Sequence, residues 1–260
     1  MLVAVHQGPA KGDLAALVAR AAATGADLLL FPEMATTGYH IGADIPRLAE
    51  PADGATALAV ARLTREHGIA VAYGYPERDG DAVYNAVQLI GPDGARLANY
   101  RKTHLFGELD RAWFTPGERA VVRAELHGVH IGLLVCYDVE FPEMVRAHAL
   151  AETELLLVPT ALMTPYEVVA DTLVPARAYE SQLYLAYANH TGRERELCYC
   201  GRSCVVAPTG QVLARAGARD ELLLADIDVD LLRASRAENT HLADRRPELY
   251  RDLVTPEGAA

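Results

Sequence analysis

Three short, uninterrupted apolar runs constrain this chain more than any other feature of it. They are Leu28-Leu29-Leu30-Phe31, Ile131-Gly132-Leu133-Leu134-Val135 and Leu155-Leu156-Leu157-Val158. Runs this short, without polar alternation, suit strands buried on both faces of a helix-covered sheet. The helices are legible between them. Residues 13–24 place Leu14, Leu17, Val18 and Ala21 on one helical face, with Asp13 as a candidate N-cap and Gly25 just past the end. Residues 55–67 form a second helix closed by Gly68, another begins near Pro142, and residues 174–183 read as helical. Residues 2–7, 69–75 and 184–189 read as strands, and runs at 203–207, 211–214 and 221–227 finish the pattern. Residues 82–90 and 95–101 form a hairpin around Gly91-Pro92-Asp93-Gly94. Alternating strands and helices with some hairpins predict an α/β fold with mixed sheets. No repeat of fixed period is visible.

With 260 residues the chain has room for one large domain or two modest ones. No linker rich in Pro, Ser or charge interrupts it. The expectation is therefore a single domain over residues 1–260, with a C-terminal extension from about residue 232. The net charge of -11 is spread along the sequence, which disfavours a nucleic-acid partner, since that would need a basic stripe. No apolar run approaches the ~20 residues that span a bilayer. Met1–Gln7 lacks the flanks of a signal peptide, so a cytoplasmic protein is expected. Cys198, Cys200 and Cys204 have no C-x-x-C spacing. They read as small apolar side chains on one strand and its approach, rather than as zinc ligands or a disulfide framework. His104, His127 and His130 read as solvated or satisfied histidines rather than a ligand set.

Three reactive residues sit where apolar strands end, the usual place for functional groups in α/β folds. Glu33 follows 28–31, Lys102 follows 95–101, and Cys136 follows 131–135. Singly, each has a plainer reading: a solvated carboxylate, a surface lysine, an inert buried thiol. Together a carboxylate, an amine and a thiol form a coherent chemical set. At Cys136-Tyr137-Asp138 an apolar strand breaks abruptly into a polar turn before a helix. Such an elbow lifts a nucleophile away from the sheet and aims backbone N–H groups at the reacting carbonyl.

Three blocks resemble the signatures of the nitrilase superfamily of carbon–nitrogen hydrolases, in the family's order. They are Phe31-Pro32-Glu33, Tyr100-Arg101-Lys102-Thr103-His104-Leu105-Phe106 and Cys136-Tyr137-Asp138-Val139-Glu140-Phe141-Pro142-Glu143. The similarity continues through Arg177-Ala178-Tyr179-Glu180, Tyr187-Ala188-Asn189 and Gly201-Arg202-Ser203. The resemblance implies a four-layer αββα sandwich that pairs into a homodimer or larger assembly, with a Glu–Lys–Cys triad carried by Glu33, Lys102 and Cys136. It also implies no metal and no organic cofactor. Cys136 would attack an amide carbonyl, Glu33 would move protons, and Lys102 with the backbone N–H of Tyr137 would hold the oxyanion.

Two further residues follow from the resemblance. Glu108 matches an additional glutamate of many members that orients the lysine and the substrate; its plainer reading is a surface carboxylate. Glu140 stands where members that bind substrate carboxylates carry Arg. Either it favours a cationic substrate or it pairs with Arg146 or Arg177. The implied partner is a small linear amide with a cationic far end, such as 5-aminopentanamide. A 4-guanidinobutanamide amidase and an N-carbamoylputrescine-type carbamoylase are alternatives. A catalytically silent binding protein of the same fold is the non-enzyme alternative.

Overall fold

The computed structural model describes residues 1–251. The first half of the chain builds most of one sheet from β1 (Leu2–Gln7), β2 (Leu28–Leu30), β3 (Ala70–Asp79), β4 (Ala82–Ile90) and β5 (Arg96–Arg101). β1, β2 and β3 run parallel, and β4 and β5 add antiparallel. The parallel connections are α1 (Leu14–Ala22) and α3 (Ala55–His67), with the short α2 (Ile45–Leu48) on the way to the second. Local chemistry sets these ends. The Asp13 side chain accepts from the backbone N–H groups of Ala15 and Ala16, an N-cap that satisfies otherwise orphaned donors. Gly68, at φ 66°, stops α3 in the left-handed conformation that glycine adopts without penalty.

A short α4 (Gly107–Arg111) leads into the second sheet. There β6 (Arg123–Leu126) pairs antiparallel with β7 (Val129–Leu133), and β8 (Leu155–Pro159) and β9 (Tyr184–Ala188) extend it in parallel. α5 (Pro142–Leu150) and α6 (Val174–Ser181) make the crossovers. A separate hairpin, β10 (Thr191–Glu194) with β11 (Leu197–Cys200), leaves the sheet before β12 (Cys204–Val206) and β13 (Val212–Arg215) return to it. β14 (Glu221–Asp226) crosses back to pair antiparallel with β1, and α7 (Val229–Glu238) follows.

The sheet orders are β14-β1-β2-β3-β4-β5 and β6-β7-β8-β9-β12-β13, which are one topology used twice. Each has three parallel strands joined by helices, an antiparallel pair on one side and one antiparallel strand on the other. Val3, Val5, Leu28, Leu30, Ala70 and Ala72 from the first sheet share a core with Ile131, Leu133, Leu155, Leu157 and Ala186 from the second. The opposite face of the first sheet, with Ala4, Leu29 and Val71, packs on Val18 and Val60 of the helices. Val145 and Ala149 of α5 and Val174 and Ala178 of α6 cover the second sheet. The fold is a four-layer αββα sandwich. The leucines of both central strands are fully buried, each contributing about 1.5–3 kcal/mol through burial.

Three expectations need correction. Cys198 and Cys200 lie on β11 of an unexpected hairpin and Cys204 on β12, with Cys198 exposed, so the three do not share a strand. The C-terminal extension begins within a helix, α7, that packs Leu232 into the core; residues 252–260 of it lie outside the described residues. β7 ends at Leu133; the Leu134 N–H still donates to the Leu157 carbonyl of β8 at 3.1 Å, and only Val135 is a buried approach to Cys136 outside the ladder. Among the described residues, no helix is long and apolar enough to cross a membrane.

Candidate active site

Glu33, Lys102 and Cys136 leave different strands and meet between the sheets. Glu33 follows β2, in a turn that requires Gly74 on the neighbouring strand. A Cβ at position 74 would lie 2.4 Å from the Met34 nitrogen and 2.8 Å from the Glu33 Cα. The backbone N–H of Glu33 donates to the Thr160 carbonyl at 3.4 Å. Its own carbonyl accepts from Nε2 of the buried His190 at 2.6 Å. The carboxylate is fully buried and divided in its contacts. Oε1 accepts from Lys102 Nζ at 2.8 Å and from Asn85 Nδ2 at 2.7 Å, while Oε2 has no partner. One oxygen is thus fixed and the other is free for proton transfer.

Lys102, placed by the end of β5, is also fully buried. Its ammonium bridges Glu33 and Asp110 Oδ2, the latter at 2.6 Å. Asp110 is held in turn by the Tyr39 hydroxyl at 3.0 Å and the Phe106 N–H at 2.9 Å. Two buried carboxylates around one ammonium hold the lysine pKa well above its usual value, against the opposing effect of burial. It stays charged. Burial raises the Glu33 pKa above the ordinary carboxylate range, with Lys102 pulling it back and Asp110 adding to the rise. A carboxylate moved upward binds a proton more readily than an ordinary one, as a proton-accepting group requires.

Cys136 has φ 48°, a left-handed conformation that is strained for a residue with a side chain and recurs at nucleophile elbows. Asp138 fixes the turn. One of its oxygens accepts from the Tyr100 hydroxyl and the Val135 N–H, and the other from Thr103 and the His104 backbone. Arg177 donates to the Val139 and Glu140 carbonyls from the far side. The Tyr137 N–H has no acceptor among the described residues. Cys136 Sγ accepts from the Thr160 hydroxyl at 3.0 Å. Burial pushes the thiol pKa up, Glu33 adds to this and Lys102 opposes it, so both charges reach the sulfur. The resting form is a thiol next to a carboxylate able to take its proton.

Aromatic rings rim the elbow: Phe106 against Tyr137 at 5.4 Å, Tyr137 against Phe141 at 5.0 Å, and His104 stacked on Phe141 at 3.9 Å. Glu140 is half-buried. Arg177 meets its backbone carbonyl, and no cation lies within 4 Å of its carboxylate among the described residues. Burial raises its pKa while Lys102 and Arg177 pull it down, so the Lys102 charge reaches it.

Glu108 does not join the site. Its side chain is 91% exposed and meets only Arg111, at 4.0 Å. The reason is helical: Gly107–Arg111 coils as α4, turning Asp110 inward and Glu108 outward. The carboxylate expected beside Lys102 is therefore Asp110. A buried Asn in the middle of β4 and an Asp two residues after Cys136 were the available signals for Asn85 and Asp138. No gathering of three or more His, Cys, Asp or Glu suited to a metal occurs among the described residues.

A family model described as carbon-nitrogen hydrolase matches residues 6–237. A Pseudomonas protegens protein described as "Hydrolase in pqqF 5'region" is 52% identical over 89% of this chain and 82% of its own length. An "(R)-stereoselective amidase" from Pseudomonas sp. is 39% identical over 85% of this chain and 80% of its own. The solved amidase of Nesterenkonia sp. AN1 superposes with a TM-score of 0.87 at 37% identity, covering 98% of this chain and 100% of that one. One mutant of that amidase is in complex with butyramide. Another shows covalent addition of the acetamide moiety of fluoroacetamide at the active site cysteine.

Proposed function

This chain belongs to the carbon–nitrogen hydrolase family, and from that premise we propose that it cleaves a small linear amide with a cationic far end, using Cys136, Glu33 and Lys102. It is an amidase-type enzyme. The observation that carries the reading is the buried Glu33–Lys102–Asp110 cluster whose charges bear on a thiol held in a left-handed turn.

The chemistry follows from the charges. Free Glu33 Oε2 takes the Cys136 proton as the sulfur bonds to the amide carbon. The carbonyl oxygen becomes an oxyanion facing the Lys102 ammonium and the open Tyr137 N–H. Donors set in place beforehand stabilise such charge without reorganising, and removing one typically costs ~2.7–4 kcal/mol. The tetrahedral adduct collapses as Glu33 returns its proton to nitrogen and ammonia leaves, giving a thioester on Cys136. Water then adds to the thioester carbon with Glu33 as base. Collapse breaks the C–S bond, regenerates the thiol and releases the acid. Asp110 keeps Lys102 charged throughout.

Glu140 supports the cationic end: a half-buried carboxylate without a cation partner would attract an ammonium and repel a carboxylate. The test is ammonia release from 5-aminopentanamide, 4-guanidinobutanamide, N-carbamoylputrescine and neutral pentanamide. One cationic amide should exceed pentanamide in kcat/KM by roughly 10-fold or more, about 1.4 kcal/mol of discrimination. Glu140→Gln should erase that margin. Equal turnover of neutral and cationic amides would refute the cationic preference, and carbon dioxide release from N-carbamoylputrescine alone would make the enzyme a carbamoylase.

A further inference from the structure

The Cys136 sulfur has a second neighbour that the reaction scheme leaves unused. Thr160 Oγ1 donates to Sγ at 3.0 Å, and the same oxygen lies 3.0 Å from the Tyr187 hydroxyl. Thr160 and Tyr187 are fully buried, as is the backbone around them. The Tyr187 hydroxyl has no other partner among the described residues.

Proton counting fixes the direction of this chain once the sulfur is ionised. A thiolate can only accept. The single Thr160 proton must then point at sulfur, so Thr160 Oγ1 must accept from Tyr187. Tyr187 can fill that donor role, because burial holds its pKa well above the usual phenol value and keeps the hydroxyl protonated. We infer that Thr160, backed by Tyr187, is a catalytic residue: a neutral hydrogen-bond relay that stabilises the Cys136 thiolate. No proton crosses the relay. The thiol proton goes to Glu33, and the relay supplies a donor to the charge left behind. Hydrogen bonds to an ionised group are worth more than neutral ones, more so in a buried site. The alternative is that Thr160 merely satisfies a buried tyrosine. That would leave sulfur reactivity untouched when the hydroxyl is removed.

The inference rests on Cys136 being the nucleophile, and the experiment separates the two. Iodoacetamide alkylation is followed from pH 6 to 10 in wild type, Thr160→Val, Thr160→Ser, Tyr187→Phe and Cys136→Ala, with peptide mapping of the modified cysteine. Thr160→Val keeps the shape of the side chain and removes the donor. Its Cys136 alkylation should slow roughly 10- to 100-fold at a given pH on the rising limb, the value expected for one hydrogen bond to a charge. Its kcat should fall with little change in KM. Thr160→Ser should restore both, and Tyr187→Phe should show a smaller loss of the same kind. A folded Thr160→Val protein with unchanged alkylation and kcat would overturn the relay while leaving the nucleophile standing. Turnover surviving in Cys136→Ala would remove the nucleophile, and the relay with it. Should Thr160→Val not fold, Tyr187→Phe and Thr160→Ser decide: alkylation at the wild-type rate in Tyr187→Phe contradicts the relay.

Discussion

The ends of β2 and β8 occupy matching places in the two sheets, and their sequences nearly match as well. Asp27-Leu28-Leu29-Leu30-Phe31-Pro32-Glu33 corresponds to Glu154-Leu155-Leu156-Leu157-Val158-Pro159-Thr160. Asp27 accepts from the Leu2 N–H at 2.7 Å, and Glu154 does the same for the His130 N–H at 2.9 Å. At the final position the halves part: one supplies Glu33, the other Thr160. The first parallel strands part in the same way, since the register that pairs Val3 with Leu28 and Ile131 with Leu155 puts Gly8 where the second half has Cys136. A scaffold used twice brings two strand ends together, and the proposed chemistry comes from making those ends unlike. Packing residues are held in common between the halves; reactive ones are not.

The strongest break in this likeness is at Glu33. Glu33→Gln should lower kcat by roughly 10²- to 10⁴-fold, the usual worth of a positioned acid–base group, in steady-state ammonia release. The Thr160→Val loss should be smaller, because a donor helps the charge but moves no proton. Next comes Lys102→Met, which leaves Glu33 and Asp110 buried and facing each other without a cation. Breaking a buried ion pair from one side costs about 3–5 kcal/mol, visible as a lowered midpoint in urea unfolding.

Acid should strain both halves alike. His6 on β1 and His148 on α5 each have the pKa lowered by burial to about 4. Between pH 6.5 and 4 the unfolded chain binds protons that the folded one refuses. Stability present above pH 6.5 is therefore lost as pH falls toward 4, by at most about 3 kcal/mol for each imidazole. Thermal unfolding across that window, in wild type and in His148→Gln, would show a flatter acid limb in the variant. Smaller still, Asp27→Asn and Glu154→Gln should cost the same, about 1 kcal/mol each. Unequal costs would mean that the two caps are alike only in outline. Glu108→Gln should change neither kcat nor the unfolding midpoint, while Asp110→Asn should lower kcat.

What was legible in the sequence and what was not divides along the same line. Buried parallel strands write themselves as unbroken apolar runs, so β2, β8 and the approach to Cys136 were visible, and with them the strand-end positions of Glu33 and Cys136. The duplication stayed hidden because its words recur without a constant spacing, the insertions between strands differing in the two halves. The sequence does not distinguish Glu108 from Asp110, because a five-residue helical turn decides which of two neighbouring acids faces inward, and Gly107–Arg111 is too short to display a period. The β10–β11 hairpin was missed because its cysteines read as apolar fillers. Thr160 was hidden by its ordinariness: nothing in a threonine after Val-Pro announces that a sulfur from another strand will lie 3.0 Å away.

The most direct test of the account is rapid-quench mass spectrometry of the intact enzyme during turnover of 5-aminopentanamide. A transient adduct whose mass matches the acyl group should appear, map to Cys136, decay with the rate of acid release and be absent in Cys136→Ala. Turnover with no acyl adduct at Cys136 even when quenched before the first cycle ends, together with an active Cys136→Ala enzyme, would contradict it.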